Sequence, residues 1–166
     1  MRDLNATSAA LLGLLHTDPM TGGQLFAAAS ERFESFFSVT RSQVYRELPV
    51  LTEAGLLRLG KSGARSSQQY VITAAGKRAF KSWLSSTAGL DNLRSPLILR
   101  LVHAGQLTPK QRANLVSGVR ADYLGYLDEA GADVQAAPTP YLKAAAEFAV
   151  AHRRAVLALL DAIPMD

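Results

Sequence analysis

Between Thr40 and Arg46 the sequence Thr-Arg-Ser-Gln-Val-Tyr-Arg gathers side chains suited to reading or gripping a polyanion. The guanidinium of Arg matches O6 and N7 of guanine, and the amide of Gln matches N6 and N7 of adenine. Ser and Tyr hydroxyls suit phosphate oxygens. Val44, Leu48 and Leu51 recur at helical spacing, so the early turns of one helix would bury Val44 and expose Arg41, Ser42, Gln43, Tyr45 and Arg46. A second group lies in Gly60-Lys61-Ser62-Gly63-Ala64-Arg65-Ser66-Ser67, where Lys61 and Arg65 stand among small residues with no acid nearby. Such a loop can lie on phosphate or enter a minor groove. Each group also has a plainer reading: the solvated side of a core helix, with Tyr45 half-buried, and a solvated hairpin. The two together are more specific than either alone.

Other chemistries find little support. The chain has no cysteine, which excludes disulfides, thiolate catalysis and Cys-ligated metals. His16, His103 and His152 are widely separated, and none falls in a His-Glu-x-x-His pattern. His103 reads as a packed or capping residue. His152, beside Arg153 and Arg154, reads as structural, with pH sensing or an effector contact as the alternative. There is no Gly-rich phosphate loop after a strand and no Gly-x-Ser-x-Gly elbow. No catalytic residue, metal ligand or cofactor site is expected.

Hydrophobic residues make up 48% of the 166 and charged residues 19%, the balance of a folded chain of one or two small domains. Apolar runs are broken by charge well short of the roughly 20 residues that cross a membrane. Acidic Asp3 makes the start a poor signal peptide, so a cytoplasmic protein is expected. Residues 1–87 carry ten Lys or Arg against six Asp or Glu, whereas residues 88–166 carry eight of each. All the positive excess lies in the first half, compatible with a polyanionic partner.

The elements that must position the basic residues follow from periodicity and caps. Ala6 to Leu15 reads as a helix closed before Pro19. Thr21 caps a second helix holding Leu25, Ala28 and Ala29, with Gly22 and Gly23 allowing close approach of another backbone. Phe33, Phe36 and Phe37 form an aromatic knot. Thr40 or Ser38 caps the third helix, which a glycine stop ends at Ala54-Gly55. Pro49 either kinks this helix or ends it at Leu48, and a kink that leaves Arg41 to Arg46 intact is expected. Leu56 to Leu59 and Gln69 to Ile72 read as two strands around the basic loop, and Thr73 caps a helix to about Ser85. Three helices followed by a two-stranded hairpin and a further helix is the winged helix-turn-helix arrangement.

In the second half, Ser95-Pro96, Thr108-Pro109 and Thr139-Pro140 each set a capping hydroxyl before a proline. They announce helices at about 96–104, 109–130 and 140–162, with a loop from Gly131 to Pro138. The last helix is apolar nearly all round, through Leu142, Ala145, Phe148, Ala149, Val156, Leu159 and Leu160. Three helices make a thin domain, and such a helix needs more than one neighbour. A second copy of the chain supplies it, so these seven residues are assigned to a homodimer seam. The expected class is therefore mostly α with a two-stranded β-hairpin: a winged helix-turn-helix DNA-binding domain over 1–87, then a helical dimerisation and effector-coupling domain over 88–166.

Phe80, Trp83, Tyr123 and Tyr126, with His152, are candidates for binding a small aromatic or apolar effector or for coupling the domains. The same side chains serve equally as helical core. Trp83 stands near the domain junction, where coupling would pass.

The sequence resembles the PadR family of bacterial transcriptional regulators. The resemblance begins at Ala10-Leu11-Leu12-Gly13-Leu14-Leu15 and continues through Thr21-Gly22-Gly23-Gln24-Leu25, where Gly22 and Leu25 agree with a His-Gly-Tyr-Glu-Leu-like run and the other three depart. It is most specific at Val39-Thr40-Arg41-Ser42-Gln43-Val44-Tyr45 and at Glu53-Ala54-Gly55-Leu56-Leu57, followed by Tyr70, Thr73, Ala75-Gly76 and Trp83-Leu84. Many members have proline directly after the tyrosine; here Arg46 holds that place and Pro49 comes three residues later. The resemblance covers residues 8–84, and the second half is similar by arrangement more than by motif. It implies a homodimeric, ligand-responsive, sequence-specific repressor of a bacterial cytoplasm, acting on an imperfect palindrome of double-stranded DNA. The competing class is a winged-helix module that binds protein without touching DNA; an apolar or acidic third helix would favour it.

Overall fold

In the computed structural model, which describes residues 4–34, 36–62, 68–87, 89 and 93–165, the first helix starts at a polar cap. The Asn5 side chain accepts the Ser8 amide at 2.8 Å, opening α1 (Ala6–Leu14). Leu11, Leu12 and Leu14 of this helix, and Leu15 at its cap, are buried. Apolar residues on nearly every side suit a helix packed against three others, and α1 meets α2, α3 and α4. These are α2 (Gly22–Phe33), α3 (Arg41–Glu53) and α4 (Ala74–Ser85). Leu25, Val44, Leu48, Leu51, Leu57 and Ile72 complete the core of this unit.

The sheet is larger than the hairpin expected from sequence. Strands β2 (Leu57–Ser62) and β3 (Gln68–Ile72) pair antiparallel, with Leu57 opposite Ile72 and Leu59 opposite Tyr70. A third strand, β1 (Met20–Thr21), lies on the other side of β3, with Met20 opposite Tyr70. Two residues are too few to show alternation, so only the long-range pairing reveals β1. Thr21 serves twice, ending β1 and capping α2 through a reciprocal bond with Gln24.

Two junctions set the length of α3. At its start Thr40, not Ser38, is the cap. At its end Gly55 adopts φ 71°. The Leu56 amide reaches back to the Leu51 carbonyl at 2.9 Å and the Gly55 amide to that of Thr52 at 3.0 Å, the two bonds of a Schellman stop. Pro49 does not end the helix at Leu48, because helical geometry continues to Glu53. Thr73 then ties the end of α3 to the start of α4: its hydroxyl donates to the Gly55 carbonyl at 2.8 Å and accepts the Gly76 amide at 3.0 Å.

The contacts divide the chain into two compact units, residues 1–89 and 90–166. In the second, Ser95, Thr108 and Thr139 cap α5 (Pro96–Val102), α6 (Pro109–Ala136) and α7 (Pro140–Asp161), each with proline in the first turn. A 3-10 turn over Ala104–Gln106 follows α5. The expected loop after Ala130 is instead mostly helix, since α6 runs on through Gly131 to Ala136. Glycine inside a helix costs about 1 kcal/mol relative to alanine. Packing along α7, with Ala130 fully enclosed, outweighs that cost. Leu101, Val116 and Leu160 centre the core of this unit, surrounded by Leu97, Leu115, Val119, Leu157, Leu159 and Ile163.

Candidate nucleic-acid interface

The outer side of α3 is polar and basic. Thr40, Arg41, Ser42, Tyr45 and Arg46 are exposed, and Gln43 is half-buried. Val44, Leu48 and Leu51 are buried on the opposite side. The segment is braced at several points. Gln43 Oε1 accepts the Thr40 amide at 2.8 Å while Thr40 Oγ1 accepts the Gln43 amide at 3.2 Å, a reciprocal capping box. Gln43 thus has a local structural task, which the Thr-x-x-Gln spacing of a capping box spells out. Ser42 Oγ lies 3.1 Å from Thr40 Oγ1.

Arg41 rests its guanidinium over the ring of Phe26, 5.5 Å from the centroid. This contact links α3 to α2 and leaves the cation at the surface. Tyr45 is half-exposed because its ring leans on Gly22, where a Cβ would stand 2.9 Å from the ring. The small residue at the start of α2 therefore creates the seat for Tyr45, while Gly23 beside it faces open space.

Arg46 donates from Nε to Glu47 Oε1 at 3.4 Å and keeps 69% of its side chain exposed. Glu47 is buried, and its other oxygen accepts Asn5 Nδ2 at 3.1 Å and Ser8 Oγ at 2.9 Å. Burial alone pushes the Glu47 carboxyl up. Hydrogen bonds from Asn5, Ser8 and Arg46, together with the Arg46 charge, outweigh burial and hold the group below its ordinary value. Sequence reasoning missed this cluster. The available signal was an acid among Val44, Leu48 and Leu51, on the side of the helix that periodicity marks as inward.

Lys61 is exposed near the end of β2, whereas Arg65 lies outside the described residues. The two basic groups of the hairpin are thus placed only in part.

The effector candidates are divided between the two units. In the first unit Phe80 packs on Gly13, tilts against His16 at 5.1 Å and stacks on Trp83 at 6.4 Å. In the second, Tyr123 meets Tyr126 edge-on, and Phe148 stacks on His152 at 6.4 Å. An open groove of about 320 Å³ lies along α6 and α7, lined by Val134, Glu147, Val150 and Arg154 among others, and includes none of these aromatic residues. The seven residues assigned to a dimer seam also divide. Ala149, Val156 and Leu160 are buried within their own chain, and Ala145 and Leu159 are half-buried. Leu142 and Phe148 remain at the surface beside fully solvated Tyr141.

Residues 11–82, which run from within α1 to within α4 and include the sheet, match the family model for the transcriptional regulator PadR-like family. The first unit of the chain is thus similar to the PadR-like family of transcriptional regulators. Its sequence is 32% identical over 78 residues to the negative transcriptional regulator PadR of Bacillus subtilis (strain 168), a match that covers 45% of this chain and 43% of that relative. The alignment therefore spans less than half the length of the curated relative. The fold of the chain resembles that of Bacillus subtilis PadR in complex with operator DNA, with a TM-score of 0.79, 20% identity, and coverage of 96% of this chain and 97% of the other. It also resembles PadR from the same organism in complex with p-coumaric acid, with a TM-score of 0.66, 19% identity, and coverage of 95% and 99%. At such identities the likeness is one of fold. Among the described residues no cluster of His, Asp or Glu is arranged to hold a metal, and no helix is long and apolar enough to cross a membrane.

Proposed function

We propose that this chain is a sequence-specific double-stranded DNA-binding regulator, a homodimeric, ligand-responsive repressor acting on a pseudo-palindromic operator in the bacterial cytoplasm. The observation that carries this reading is the outer face of α3, where Arg41 and Arg46 are exposed on a helix braced by its capping box, by Phe26 and by Glu47. A helix with such a face enters the major groove, Arg41 and Arg46 reading guanines while Thr40, Ser42 and Tyr45 touch phosphates. Gln43 either keeps its capping role or exchanges it for an adenine. Lys61 and Arg65 add phosphate contacts from the hairpin.

Residues 1–87 are the reading domain and 88–166 the dimerising one, with exposed Leu142 and Phe148 meeting a second copy. The half-sites then lie about one helical turn, roughly 34–36 Å, or a multiple apart. A small aromatic or apolar effector acts through Phe80, Trp83, Tyr123, Tyr126 or His152 and shifts the dimer toward an arrangement that no longer matches the operator. Selection of bound duplexes from fragmented genomic DNA, followed by footprinting, tests the reading. Protection of two symmetry-related half-sites is expected, and protection of a single half-site would overturn the dimer-on-palindrome arrangement.

A further inference from the structure

An arginine side chain offers five N–H groups, which form two different forks. One uses both terminal nitrogens, Nη1 and Nη2; the other uses Nε with one terminal nitrogen. At Arg46 the second fork is engaged by the protein, because Nε donates to Glu47 Oε1 at 3.4 Å. The terminal nitrogens meet no protein partner among the described residues, and the side chain is largely solvated. Glu47 cannot move freely to follow Arg46. Its second oxygen is held by Asn5 at the cap of α1 and by buried Ser8 in the first turn of that helix.

We propose that Glu47 is a positioning residue for Arg46: it holds Nε so that the end-on fork of Nη1 and Nη2 points outward, registered against α1 through Asn5 and Ser8. This rests on the DNA-reading proposal above. The end-on fork is a bidentate partner for guanine O6 and N7. A freely rotating guanidinium would grip phosphate as well but would discriminate bases less. Glu47 therefore contributes to sequence preference and little to general attraction, because its negative charge opposes phosphate.

The Glu47→Gln substitution separates these effects. The amide oxygen can still accept from Asn5 and Ser8, but the amide nitrogen then faces Arg46 Nε, donor against donor. Affinities are measured for the wild type, E47Q, R46A and the double variant, each shown by thermal unfolding to be folded. The probes are the tightest duplex recovered from a random library and a scrambled duplex of equal length. E47Q is expected to lower the preference for the selected duplex by roughly three- to tenfold, with scrambled-duplex affinity unchanged or higher, as loss of one charge-assisted bond that orients a base contact implies. In the R46A background the same substitution should have no further effect on preference. Equal weakening on both duplexes, or the same factor in the R46A background, would overturn the proposal. Nuclear magnetic resonance of the free protein adds a test independent of DNA: the Arg46 Nε–H signal, assigned by its loss in R46A, should shift and exchange faster with water in E47Q. An unchanged signal would also overturn the proposal. A wild type that prefers no duplex refutes the DNA reading, while the Nε–H signal still decides whether Glu47 holds Arg46.

Discussion

Ser8 and Glu47, on different helices of the first unit, are joined by a buried hydrogen bond of 2.9 Å from Ser8 Oγ to Glu47 Oε2. The bond fastens the first turn of α1 to the middle of α3, with Asn5 Nδ2 on the same oxygen. Removing it with Ser8→Ala should destabilise the first unit by about 1.5–3 kcal/mol, the range for a hydrogen bond to a charged group. Denaturant unfolding of the two proteins at neutral pH measures the difference.

The same carboxylate makes stability depend on pH. Its folded value lies below that of an unfolded carboxylate, so folding favours the deprotonated form. This contribution is present above the unfolded value and disappears as pH falls through the lower folded one. Acid unfolding curves should therefore show the wild type losing stability relative to Glu47→Gln across that interval. Parallel curves for the two proteins would contradict the assignment.

Two glycines of the first unit should respond oppositely to alanine. A Cβ on Gly76 would collide with the Leu56 carbonyl oxygen, at the place where Thr73 joins α3 to α4. Neither backbone can retreat without breaking these bonds, so Gly76→Ala should cost about 2–4 kcal/mol. Gly23, in the first turn of α2, has nothing within 4 Å of an added Cβ. Gly23→Ala should be neutral or stabilise by up to about 1 kcal/mol. Thermal melts of both variants provide the comparison.

On DNA, Arg41→Ala should cost about 1–3 kcal/mol and relax preference at one base pair, whereas Arg94→Ala and Arg120→Ala should leave binding nearly unchanged. Arg120 is occupied by an ion pair with Asp161 in the second unit. Lys61→Ala should weaken binding to all duplexes alike and reduce the salt slope by about one. Titrations at several salt concentrations distinguish these outcomes, and a slope identical to that of the wild type would place Lys61 away from the duplex.

Assembly should depend on the exposed part of α7. Phe148→Asp is expected to turn a dimer into a folded monomer, because the ring is 62% exposed within its own chain. Val156→Asp should instead unfold the second unit, since that side chain is buried there and an unpaired carboxylate would lose its hydration. Sedimentation combined with circular dichroism separates loss of partner from loss of fold.

What the sequence determined by itself was local. The hydroxyl caps at Thr73, Ser95, Thr108 and Thr139, the glycine stop at Gly55 and the polar outer side of α3 depend on residues within a turn or so of each other. Local backbone sterics and hydrogen bonding settle such features before any distant segment arrives. Tertiary structure decided the rest. Met20 and Thr21 become a strand only when β3 lies beside them. Arg41 finds Phe26, and Glu47 becomes a buried anchor because Asn5 and Ser8 arrive from another helix. On α7, periodicity marked seven apolar positions alike, but packing on α6 enclosed Ala149, Val156 and Leu160 and left Phe148 in solvent. A helix's apolar stripe states how much surface must be covered; which residues are covered is set by the angle and depth at which the neighbouring helix meets it.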